Sequence, residues 1–132
     1  MENKILIINQ NELESLIESF SGHDAIFIAE IDGNTVHTLH DYFDKICEVF
    51  KFPYLSKSLD GYLDWMTDLS WLNASEFALI IIDYKDFMQN DLTNREKVMW
   101  LFENDILPFW QSEIEQCVVE GKAKPFNVYL VD

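Results

Sequence analysis

FALIII, Phe77 to Ile82, is an uninterrupted apolar run of strand length. It has no polar face to turn to water, so it predicts the centre of a parallel sheet covered on both sides. Shorter or mixed runs flank it. KILIIN at Lys4–Asn9 and AIFIAEI at Ala25–Ile31 lie upstream, and Phe126–Val131 follows Pro125 downstream. Each reads as a further strand, the second closed by the Asp32-Gly33 turn signal.

Helical periodicities fill the gaps between these runs. Leu13, Leu16, Ile17 and Phe20 recur at helical spacing behind Asn11 as a cap, with Gly22 at the end. Leu39, Phe43, Ile46, Cys47 and Phe50 form an apolar stripe behind Thr38 and Asp41, a pair resembling a capping box. A third helix opens at Thr93 and Glu96 and runs through Val98, Leu101 and Phe102. Pro108 is expected to interrupt it, after which Trp110, Ile114, Cys117 and Val118 define another helix lasting to Gly121. Strands alternating with helices predict an α/β fold, a small mostly parallel sheet packed with helices through right-handed crossovers. One domain is expected over residues 1–132, with an N-terminal strand and helix (1–24) added to a core of 25–132.

Composition narrows the function classes. A chain of 132 residues that is 48% hydrophobic and 14% aromatic can bury a core without metal or disulfide support. Nine Lys and Arg against 24 Asp and Glu leave a formal charge of −15, which disfavours nucleic acid and anionic membrane as direct partners. That charge suits either solubility alone or attraction to a basic protein. Cys47 and Cys117 form no CxxC motif and are expected as buried free thiols of a reducing compartment. The start MENKILIINQ is not a signal peptide, and no apolar run spans a bilayer, so a soluble cytoplasmic protein is expected.

Motifs for catalysis are missing. Gly22, Gly33, Gly61 and Gly121 are isolated, so neither a dinucleotide fingerprint nor a P-loop can be drawn, and no serine sits in GxSxG. His37, His40, Asp41 and Asp44 crowd one segment, yet acidic residues at a helix start explain Asp41 without a ligand. No metal, cofactor or catalytic residue is therefore expected. Trp65, Trp71, Trp100 and Trp110, with Phe102 and Phe109, read as core and core rim.

The informative segment is Phe52–Leu72, FPYLSKSLDGYLDWMTDLSWL. Pro53 starts a short loop, Ser58 is placed to cap a helix over Leu59–Leu69, and Asp60 and Asp64 fall one turn apart on one side. These residues carry a resemblance. Ile31-Asp32-Gly33, Phe50-Lys51-Phe52-Pro53, and above all Leu59-Asp60-Gly61-Tyr62-Leu63-Asp64-Trp65-Met66-Thr67-Asp68-Leu69 follow the pattern of the barstar family of intracellular ribonuclease inhibitors. The match runs from about Ile26 to the C-terminus, with the Leu79–Ile82 and Pro125-Phe126 strands in the expected places. The segment Lys4–Phe20 looks like the extension of larger members.

The resemblance implies a non-enzyme, an immunity-type protein that plugs the active site of a basic ribonuclease. It places Asp60 and Asp64 at the two contact aspartates and Leu63 at a position between them that is aromatic in barstar. Tyr54 and Leu55 fall in the contact loop, and Glu115 and Glu120 are both candidates for a further acidic contact. The chain departs from the pattern at Tyr54-Leu55-Ser56-Lys57-Ser58, one residue short, without the family's Gly and Asn, and with a positive charge at Lys57. The alternative keeps the fold as an interaction module for a partner that is not a nuclease. A monomer is assumed in either case.

Overall fold

A computed structural model describes residues 2–23 and 25–132 and gathers the strands into one sheet. β1 (Ile5–Ile8), β2 (Ile26–Asp32), β3 (Glu76–Ile82) and β4 (Phe126–Val131) lie in the order β1-β4-β3-β2, and every neighbouring pair is parallel. The FALIII run is central as expected: Leu79 pairs with Ala29 on one side and Val128 on the other. Phe77 through Ile81 are all buried.

Alternation along the strands divides the core in two. One face, with Ala29, Ile31, Leu79, Ile81 and Val128, packs under α2 (Leu39–Val49), α3 (Leu59–Met66) and a long C-terminal helix that begins as α4 (Leu92–Leu101). The other face, with Ala78, Ile80, Tyr129 and Val131, is covered by Leu13, Leu16 and Phe20 of α1 (Gln10–Phe20). Gly33 sits where a Cβ would overlap the carbonyls of Ile82 and Asp83, which explains the Asp-Gly turn after β2.

Several helix boundaries differ from expectation. Asn9, not Asn11, caps α1: its side chain accepts the Glu12 N–H at 2.8 Å, and the Glu12 carboxylate accepts the Asn9 N–H at 3.1 Å. This reciprocal box satisfies two otherwise unpaired amides, an advantage Asn11 lacks inside the helix. Thr38 does cap α2, but the Asp41 carboxylate reaches past it to the His37 N–H at 2.9 Å. Thr93 lies within α4 and caps nothing; Asp91 precedes that helix.

Asp91 bridges two helices through its carboxylate. It accepts the Leu39 N–H at 3.0 Å and the Asn94 amide at 3.0 and 3.1 Å, so the start of α4 is tied to the start of α2. These donors, the Leu39 amide foremost, hold the Asp91 pKa below the usual carboxylate value. A depressed folded-state pKa stabilises the fold above the unfolded-state pKa and is lost as pH falls through the folded value. Asp91→Asn is therefore expected to lower stability at neutral pH and to flatten the acid limb of the stability–pH curve. Urea melts at pH 7 and across the acid range read both effects, and an unchanged acid limb would contradict them.

Pro108 does not interrupt the C-terminal helix. The chain passes through two π-helical turns, Phe102–Ile106 and Phe109–Glu113, before ending as α5 (Ile114–Cys117). The Leu107 N–H bonds to the Phe102 carbonyl and the Ile114 N–H to that of Phe109, five residues back. Proline breaks an α-helix because it lacks an N–H and its ring strikes a carbonyl one turn back; the wider π turn makes room for the ring, although the donor stays missing. The altered phase keeps Phe102, Ile106, Trp110 and Ile114 buried. The helix ends at Cys117, which is exposed, and Val118 beyond it is 46% exposed, so neither lies on a buried stripe. Cys47 is half-buried, and Trp100 is 57% exposed on α4 instead of lying at the core rim.

Candidate functional site

α3 is built into the molecule along one side only. Tyr62 and Met66 are fully buried, while Leu59 and Leu63 pack partly against the same core. The Tyr62 hydroxyl shares a 2.6 Å hydrogen bond with that of Tyr42 on α2, and burial pushes both phenol pKa values up, so the pair stays protonated. Asp60 and Asp64 consequently face outward and are exposed, as is Asp68 just past the helix end.

Both ends of the helix are fixed. At its start the Ser58 hydroxyl accepts the Gly61 N–H at 3.1 Å, the expected cap. The Ser56 hydroxyl lies over the first turn against Gly61, so a side chain at that position would have to push it aside. At its end, which comes at Met66 and not Leu69, Thr67 takes the C-cap position and Leu69 turns into left-handed backbone at φ 51°. The buried Trp110 indole donates to the Met66 carbonyl at 2.9 Å, meeting one of the acceptors a helix end leaves open.

An aromatic cluster flanks the acidic side. Trp65 meets Trp71 edge-on at 5.2 Å and Phe52 at 6.3 Å, and Tyr54 stacks against it at 6.4 Å. Trp71 is anchored in turn by its indole N–H on the Phe50 carbonyl at 2.9 Å. Tyr54 is 75% and Leu55 57% exposed, so the loop presents two large apolar side chains beside the helix. Gly61, Asp64, Trp65 and Asp68 line a surface concavity of about 370 Å³.

The expected site residues separate into groups. Tyr54 comes next to Asp64 through Trp65, and Asp60 lies one turn before Asp64 on the same helix. Leu63 is half-buried against the core. Glu120, held in left-handed backbone at φ 60°, joins Thr67, Asp68 and Trp110 in a second concavity of about 260 Å³, whereas Glu115 is exposed on α5 and does not line it. Trp65 and Asp68 were not among the residues expected at the site. The signal for Asp68 was present in the regular spacing of Asp60, Asp64 and Asp68; that for Trp65 required knowing which way its ring turns.

Charge on this surface is uncompensated. Among the described residues the ion pairs are His37–Asp41, His40–Asp44 and Lys45–Glu48, all on or beside α2. Asp60, Asp64 and Asp68 thus have no cationic partner among the described residues, and Lys57 is exposed without an acidic one among them. No group of three His, Cys, Asp or Glu side chains among the described residues is arranged to hold a metal ion.

A family model described as Barstar (barnase inhibitor) matches residues 26–130. Among curated proteins and solved structures, none matches the chain significantly.

Proposed function

We propose, since this chain belongs to the barstar family, that it is a cytoplasmic inhibitor of the immunity type, which seats α3 and the preceding loop on the active site of a basic ribonuclease. It acts by occupation and catalyses nothing. The observation that carries this reading is the outer face of α3: exposed carboxylates without cationic partners, on a helix whose inner face is locked into the core.

A ribonuclease must gather cationic groups to hold RNA phosphates. Carboxylates presented at helical spacing can take the place of those phosphates, and the overall charge of −15 draws the two proteins together. Pre-organisation matters here, because a helix already fixed by Tyr42, Tyr62 and Trp110 loses little freedom on binding. Asp60, Asp64, Tyr54 and Leu55 form the centre of the proposed contact. Leu63 supports it from the half-buried side of the helix. Glu120 is the better placed of the two glutamates to extend it, since its concavity reaches Asp68. Lys57 lies at the rim, where solvent screens it. That the family match begins at residue 26 supports reading β1 and α1 as an added unit, and α1, on the sheet face opposite α3, lies outside the proposed contact. Among the described residues no helix is long and apolar enough to cross a membrane.

Affinity capture tests the proposal. Immobilised protein incubated with extract of its source cell is expected to retain a basic ribonuclease, inhibited in the complex and released progressively as salt is raised. Retention only of proteins without nuclease activity would leave the fold as an interaction module and remove the inhibitor reading.

A further inference from the structure

The cleft at Trp65 has properties that a general acidic surface does not require. Gly61, Asp64, Trp65 and Asp68 are spaced so that they share one side of the chain as α3 ends, bringing an indole and two carboxylates to one concavity with no side chain at Gly61. The indole is fixed by Trp71 and Phe52 and extended by the Tyr54 ring, so the aromatic wall is rigid at its base. The chain's own cations lie over four other rings: Arg95 is 4.1 Å from the centre of Tyr84, Lys51 approaches Phe27, and Lys124 approaches Phe77 and Trp110. Among the described residues no cation covers Trp65 or Tyr54.

We infer that the Trp65 cleft receives an arginine side chain of the partner, and that Trp65 and Asp68 make the surface selective for arginine over lysine. This rests on the inhibitor reading for the identity of the partner, but the chemistry of the cleft stands separately. A guanidinium is planar and weakly hydrated, so it can lie against an aromatic ring while its edge donates to carboxylates on either side. A lysine ammonium is a compact, strongly hydrated point charge and gains less from the ring. Asp68 follows the helix end and adds a second carboxylate to the cleft. Without it, Asp64 alone would attract either cation.

Amino-acid amides probe the cleft directly. N-acetyl-arginine amide and N-acetyl-lysine amide are titrated at low salt against the whole ¹⁵N-labelled chain. The arginine probe is expected to shift the Trp65 indole and the Gly61, Asp64 and Asp68 amides, binding about two- to fivefold more tightly than the lysine probe. Asp68→Asn and Trp65→Leu should each bring the two probes close to parity, and Asp68→Asn, a surface change, should do so at an unaltered unfolding midpoint. Equal responses to the two amides in the unaltered protein, or shifts spread over carboxylates across the whole surface, would overturn the inference. The two readings fail separately. If a basic ribonuclease is inhibited but the amides are not distinguished, the cleft inference falls and the inhibitor stands. If arginine is selected but no ribonuclease is bound, the cleft stands and the inhibitor reading falls.

Discussion

Asp64→Ala is expected to weaken binding to the captured ribonuclease by roughly two to three and a half orders of magnitude, with the protein's own stability unchanged. Asp64 is exposed and has no cationic partner among the described residues, so its removal costs the free fold little. In the proposed complex the same carboxylate is desolvated against a cationic active site. Truncating one partner there leaves the other charge buried and unpaired, a loss of about 3–5 kcal/mol. Most of it should appear as faster dissociation, because the remaining acidic surface still steers the encounter. Surface plasmon resonance gives both rates, and a urea melt of the free variant gives its stability. Inhibition at the unaltered level by Asp64→Ala would show that α3 is not the plug. A matching loss of stability would assign Asp64 to the fold instead.

The largest effect on the fold itself is expected at Trp110. Its ring is 2% exposed and packs on Phe77 at 5.1 Å and Phe109 at 5.2 Å, and its indole N–H is bound to the Met66 carbonyl. Trp110→Ala should destabilise the protein by about 3–5 kcal/mol through the cavity it opens. Trp110→Phe keeps much of the ring but leaves the Met66 carbonyl without its donor, a cost of about 1–3 kcal/mol. The two variants separate packing from the hydrogen bond at the end of α3. Urea melts of both, read by far-UV circular dichroism, are the measurement. A Trp110→Phe variant as stable as the original protein would mean that water replaces the indole at Met66.

The parts of the fold that could be read in the sequence are those set by local chemistry. The apolar run at Phe77–Ile82 leads to a strand buried on both faces, and the Ser58 hydroxyl three residues before Gly61 leads to the start of α3. What could not be read depends on partners distant in the chain or on side-chain direction. Asp91 lies before α4 but bonds to Leu39, which no local pattern at Asp91 indicates. Pro108 was expected to end a helix because the rule assumes an α turn, and two π turns set that assumption aside. The helix also ends at Cys117 with Val118 in extended backbone, so the buried stripe that helical periodicity predicts stops at Ile114.

The site shows the same division. Asp60 and Asp64 could be placed on the outer side of α3 from spacing alone, since Tyr62 and Met66 had to go inward. Leu63, Trp65 and Trp100 could not be placed in this way, because a helical pattern shows that a residue lies near the boundary but not how much of it is covered. In the event Leu63 leans on the core, Trp65 lines a cleft and Trp100 is more than half exposed.

The strand order has a consequence in time. β4 is the last strand to be synthesised, yet it lies between β1 and β3, and the contact of Lys4 with Asn127 spans 123 positions. Until β4 leaves the ribosome, β1 has no neighbour and one edge of β3 stays open, so the sheet that supports α3 cannot close. Such long-range pairing is slow compared with helix formation. In the proposed inhibitor role the protein therefore becomes competent to bind only after translation has passed through β4.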